Sequence, residues 1–178
     1  MNHISMFATP KHGLSGSFWR RLMPALLLLP ILATAGSAPR EIDWLEMMPA
    51  DELKALERMA GSIDHSGGAA DAIFTSERTV AKMDGVRGKL PGYLVPITTN
   101  GKREVVDMFL VPYFGACIHM PPPPPNQIVY IKPKTPIKIG ELWEAHYVTG
   151  TLRVTKTKNK VATAVYTLDF ERIERIRE

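Results

Sequence analysis

The sequence predicts a mainly β protein, a small barrel of five or six antiparallel strands preceded by a short helical segment. Three observations carry this reading. From about residue 78 the apolar period is two, in runs rich in Val, Ile, Thr and Tyr separated by short polar turns. Asp84-Gly85 and Asn100-Gly101 are strong hairpin signals, because both central residues of a type I′ turn need positive φ. The strands fit in about 90 residues without an internal repeat, and closing one sheet on itself removes the unpaired edges that a sandwich would leave. The expected barrel is of the oligonucleotide/oligosaccharide-binding (OB) type, a fold name that carries no ligand with it.

The first element is a leader and stands outside the fold. Arg20-Arg21 precede the apolar stretch 22–35, which carries Ala25-Leu26-Leu27-Leu28-Leu29 and ends in small residues. A basic region, an apolar region and an A-x-A pattern predict a signal peptide over residues 1–35 and export. The stretch is shorter than the roughly 20 apolar residues that span a bilayer, and Pro24 and Pro30 weaken it as a helix. Cleavage after Ala35 is preferred to Ala38, which would leave Pro39 first. Translation from Met6, a twin-arginine signal and an uncleaved anchor are the alternatives. No membrane span is expected after cleavage.

The leader also distorts the charge. The chain carries 22 Lys and Arg against 18 Asp and Glu, a formal net charge of +4. Without Lys11, Arg20 and Arg21 the remainder is 19 against 18, so net charge gives little reason to expect nucleic acid or an anionic membrane as partner.

Residues 36–77 read as a helical and loop segment, and 78–178 as the barrel. Pro49 opens a helix over 50–60, with Asp51 and Glu52 in its first turn, Arg58 near its end and Gly61 as stop. Leu53, Leu56 and Ala60 make a narrow apolar stripe. A loop follows, and a second helical piece is expected over 69–74. The strands are 86–97, with a bulge at Pro91-Gly92, then 105–111, 128–132, 142–155 interrupted at Gly150, and 161–170 after a turn at 156–160. Residues 171–178 are balanced in charge and read as a tail or a last edge strand.

The distinctive stretch is 109–127, with Cys117-Ile118-His119 followed by Pro121, Pro122, Pro123, Pro124, Pro125 and Asn126. Five prolines form a polyproline II rod without amide donors, either a rigid crossover or a surface for an aromatic groove on a partner. Cys117 is the only cysteine, which is awkward in an oxidising compartment unless it is buried, metal-bound or paired with another chain. In an extended segment Cys117 and His119 leave on one face, which suits a metal better than thiolate activation. Zinc accepts both donors and needs at least a third, for which His146 stands nearest, with Glu141 and Glu144 as supplements; Met108 or Met120 would instead favour copper. Phosphate loops, nucleophile elbows and His-Glu-x-x-His are absent, so a catalytic role is not expected. His65 lies in a flexible loop and is given no role, and the lysines at 156–160 read as a solvated turn.

The segments 41–49, 90–96, 109–127 and 148–152 together resemble a bacterial family catalogued as domain of unknown function 3299, with Gly115-Ala116-Cys117-Ile118-His119 and the proline run as the specific core. The resemblance implies exported, periplasmic proteins of Gram-negative bacteria, often encoded beside ABC-type transporter components, in some cases in zinc homeostasis. It carries Cys117 and His119 into the expected site, whereas His146 comes from this sequence alone. The expectation is a non-catalytic periplasmic accessory module for an ABC-type transporter, with zinc as candidate cofactor. The alternatives are a thiol-dependent enzyme using Cys117 and a structural envelope protein.

Overall fold

The computed structural model describes residues 38–60, 72–116 and 122–177. The leader with the preferred cleavage site after Ala35, His65, Cys117, His119, Met120 and Pro121 lie outside them. In chain order the elements are β1 (Arg40–Glu41), α1 (Ala50–Ala60), β2 (Arg87–Thr99), β3 (Val105–Val111), β4 (Val129–Ile131), β5 (Ala145–Lys158) and β6 (Thr163–Arg175). The helix has the expected bounds. Residues 72–74 are also helical, the part of the expected 69–74 piece inside the described residues.

The sheet runs β1-β2-β3-β4-β6-β5 and closes through a β2–β5 pairing, so five strands make a barrel and β1 is added to its side. Pairing is antiparallel except for β4–β6 and β1–β2, which are parallel. This is the OB-like barrel the alternation predicts, with one parallel ladder, β4–β6, among its antiparallel pairings.

Closure depends on β2 serving two neighbours. Its first half pairs with β5 and its second with β3, and Tyr93 is shared, opposite Ala145 on one side and Val111 on the other. The strand turns beside Gly92, where a Cβ would lie 2.5 Å from the carbonyl oxygen of Val111. The β2–β5 register is continuous through Pro91-Gly92, and the irregularity falls between Pro96 and Thr99 instead, so the expected bulge is displaced towards the hairpin. In β5 the expected break at Gly150 is a register shift against β6, and a side chain there would strike the Asp169 carbonyl.

The β2–β3 hairpin exists, but its turn differs from the expected type. Asn100 Oδ1 accepts from the N–H groups of Lys102 and Glu104 at 2.9 and 3.0 Å, and Arg103 N donates to Asn100 O at 3.0 Å. The left-handed residue is then Arg103, with φ of 61°, and Gly101 is not one. Asp84-Gly85 ends a 3₁₀ turn that leads into β2, with Gly85 at φ of 78° and its N–H donating to Leu152 O at 2.9 Å. The expected tail extends β6 to Arg175, paired with the first half of β5.

Two apolar layers result. Leu90, Leu94, Met108, Leu110, Ile131, Val148, Leu152, Tyr166 and Leu168 fill the barrel, joined by Ile42, Met47 and Met83 from the preceding segment. Each such aliphatic side chain contributes about 1.5–3 kcal/mol by leaving water. On the outer face Val95, Phe109, Val111, Ile128 and Ala164 form a second cluster, and Ala116 of the β3–β4 connection lies against it.

Candidate functional site

The β3–β4 connection carries the distinctive stretch, and its described parts are anchored on both sides. Upstream, Ala116 is fully buried and the ring of Phe114 stands 5.9 Å from that of Tyr93. Downstream, Pro122 is exposed, Pro123 and Pro124 are buried, Pro125 is half-buried, and Pro125–Gln127 form a 3₁₀ turn. Asn126 is fully buried. Within the described residues, the surface the proline run offers a partner is that of Pro122 and part of Pro125, and Tyr113 and Phe114 are exposed upstream of it.

Asn126 and Gln127 fasten the rod to the N-terminal segment. Asn126 Nδ2 donates to Glu52 Oε2 at 2.9 Å and to the Arg78 carbonyl at 3.2 Å. The other carboxylate oxygen of Glu52 accepts from Ser76 Oγ at 2.7 Å and faces the Arg78 guanidinium at 3.3 Å. Arg78 also holds Asp51 through both of its terminal nitrogens, and that pairing lowers the Asp51 carboxyl below the ordinary range. Gln127 Nε2 donates to Trp44 O at 2.9 Å, and the Trp44 indole donates to Pro91 O at 2.7 Å. A buried carboxylate is tolerated because every partner here is a donor. The Oδ1 of Asn126 is buried without a hydrogen-bond partner among the described residues.

Sequence reading missed this network. Glu52 sits in the first turn of α1, where an acid is sufficiently explained by the helix dipole. Its partner lies 74 residues away, and no local pattern announces the pairing.

His146 is buried on β5, opposite Gly92 on β2 and Arg175 on β6. Its Nδ1 lies 2.8 Å from the carbonyl oxygen of Glu144. A carbonyl only accepts, so Nδ1 carries a proton, and in the neutral form of the ring the lone pair is on Nε2. This is the tautomer of a metal-binding histidine whose second nitrogen is tied to the backbone. Of the supplementary donors, Glu144 is engaged by Arg175 at 2.8 Å and Glu141 is exposed. Met108, the soft donor considered for copper, lies inside the barrel and is withdrawn as a ligand. Among the described residues no group of three His, Cys, Asp or Glu side chains is placed to hold a metal.

Beside His146, Tyr93, Trp143, Glu144, Ala145, Arg175 and Arg177 line a groove of about 430 Å³. Trp143 is 63% exposed, so the rim is aromatic as well as basic.

A family model described as "Protein of unknown function (DUF3299)" matches residues 44–175. A crystal structure of a DUF3299 family protein from Pseudomonas aeruginosa PAO1 is 33% identical to this chain, with a TM-score of 0.62, over 79% of this chain and 98% of that one. Comparison with curated proteins gives no match. The matched span takes in the barrel, the Cys117-x-His119 stretch and the Glu52–Asn126 network alike, and the chain belongs to the DUF3299 family.

Proposed function

We propose that this protein is an exported, non-catalytic binding module of the periplasm that holds a transition metal, zinc first, through Cys117, His119 and His146, and serves an ABC-type transport system. The observation that carries the metal reading is the His146 ring, whose Nδ1 is spoken for by the Glu144 carbonyl at 2.8 Å and whose Nε2 is left as a lone-pair donor. One thiolate and two imidazoles are a borderline-soft set that suits zinc. Three protein donors leave a fourth tetrahedral position, through which bound zinc would take a ligand from a partner or from water. The export reading rests on the leader at 1–35, and the transporter reading on the family resemblance.

The test is metal content. Wild-type protein purified without chelator and exposed to zinc is expected to retain it stoichiometrically after desalting. Cys117→Ala, His119→Ala and His146→Ala should each release it while the far-ultraviolet spectrum stays unchanged. Wild type that keeps neither zinc nor copper, or a triple variant that keeps as much as wild type, ends the metal reading.

A further inference from the structure

Net charge hides a local segregation that the fold creates. The backbones of Val105 and Ile137 bond to each other in both directions, at 2.7 and 3.0 Å, and β4 places Ile131 opposite Met108 on β3. These pairings bring the β2–β3 hairpin and the chain leaving β4 to one end of the sheet. Lys102 and Arg103 stand on the hairpin, and Lys132, Lys134 and Lys138 on the other segment. All five are exposed, and none has an ion-pair partner among the described residues. Elsewhere many cations are neutralised: Arg40 by Glu46, Arg87 by Glu171, Lys89 by Glu41 and Arg153 by Asp169. The carboxylates at this end are Glu104, which accepts from Asn100 Nδ2 at 2.9 Å, and Asp107, which accepts from the Tyr130 hydroxyl at 3.1 Å. Five cations against two engaged carboxylates leave a positive surface.

We infer that this end of the barrel docks on an anionic lipid bilayer. The surface is built mostly from lysine, which is depleted in the cores of protein–protein interfaces, where Trp, Tyr and Arg supply the anchors. The exposed large hydrophobics among the described residues, Trp143, Phe114 and Tyr113 among them, belong to other segments. A cluster of lysines without an apolar anchor suits a fluid sheet of phosphate headgroups, where each Lys or Arg near the surface strengthens binding about fivefold. The inference is independent of the metal reading.

Co-sedimentation tests it, using vesicles of phosphatidylglycerol and phosphatidylethanolamine beside vesicles of phosphatidylcholine, with all proteins carrying the same N-terminus. Binding to the anionic vesicles should exceed binding to the neutral ones and fall steeply between 50 and 500 mM NaCl, roughly the range over which the Debye length drops below the headgroup spacing. Lys102→Gln with Lys134→Gln should weaken it about twenty-five-fold. Lys54→Gln with Lys82→Gln, exposed cations elsewhere, should leave it unchanged, and matching melting temperatures keep folding out of the comparison. Equal binding to both vesicles, or a Lys102/Lys134 variant that binds like wild type, overturns the inference. Retention by immobilised poly-L-glutamate without vesicle binding overturns it in favour of an acidic protein.

Discussion

The side-chain amide of Asn126 donates to the carboxylate of Glu52 at 2.9 Å, joining the end of the proline run to the first turn of α1. The contact decides how the β3–β4 connection is held, because Asn126 and Glu52 are both buried and neither has solvent to fall back on. Asn126→Asp is nearly isosteric but sets a second carboxylate against the first. One of the two must take up a proton in the folded state, so the folded pKa of the pair rises above its unfolded value. Stability of the variant is then retained below about pH 4 and lost as pH rises. Urea unfolding should show a deficit of about 2–4 kcal/mol at pH 7 that narrows towards pH 4. A deficit independent of pH would mean that the two groups do not meet.

A second prediction separates the glycines by what surrounds them. Gly92→Ala puts a Cβ 2.5 Å from the Val111 carbonyl, at the point where β2 passes from one neighbour to the other, and should cost about 1–3 kcal/mol or more. At Gly101 a Cβ meets nothing within 4 Å and φ is not positive, so Gly101→Ala should be neutral or stabilising. Arg103 is the hairpin residue with positive φ, and Arg103→Gly should stabilise by about 0.5–1 kcal/mol. Melting temperatures of the three variants check the turn type directly, since a type I′ turn would reverse the order at positions 101 and 103.

Acid should loosen the N-terminal segment first. The Arg40 guanidinium, and then the Asp43 N–H, hold the Glu46 carboxyl below its ordinary range. Glu46 completes a capping box with Asp43 at the 3₁₀ turn Trp44–Met47. A carboxylate with a lowered folded pKa contributes stability above its unfolded pKa and loses it as pH falls through the folded one. The pair is over a third exposed, so screening keeps the effect under about 1 kcal/mol. Glu46→Gln should therefore lower stability slightly at pH 7 and leave it unchanged at pH 3. Chemical denaturation at the two pH values distinguishes this from a pH-independent packing defect.

Alternation at 166, 168 and 170 reports the barrel-facing side of β6, whereas Ala162 and Ala164 of the same alternation pack on the outer cluster. Strands 105–111 and 86–97, the latter observed as Arg87–Thr99, follow from the same period, because one residue of slip would invert every side chain. The hairpin at Asn100 was legible, but its turn was not, since the Asn100 side chain captures two backbone N–H groups and overrides the Asn-Gly preference. At the candidate site, the pairing of His146 with the Glu144 carbonyl depends on local backbone geometry that spacing alone does not reveal. Glu52 and the cluster of Lys102 with Lys134 are products of topology, which joins residues that no periodicity connects.

The last prediction concerns Tyr166, whose hydroxyl lies at the meeting of barrel and N-terminal segment. It accepts from Val80 N at 2.7 Å and donates to Met47 O at 2.9 Å. Burial above all, with the Glu52 carboxylate adding to it, holds the phenol above its ordinary pKa, although the Val80 N–H pulls the other way. Burial likewise raises Tyr130, with help from Asp107. A neutral phenol with a raised folded pKa contributes stability below its unfolded value of about 10 and loses it as pH rises. Tyr166→Phe removes the hydroxyl and leaves the half-buried Val80 N–H and the buried Met47 carbonyl without it as partner, which should cost about 2 kcal/mol at pH 7. In absorbance titration at 295 nm, the slowest tyrosinate to appear in wild type should coincide with unfolding by circular dichroism, and it should be missing from the Tyr166→Phe trace. A full complement of tyrosinates forming before the fold is lost would show that this hydroxyl is not held between the two segments.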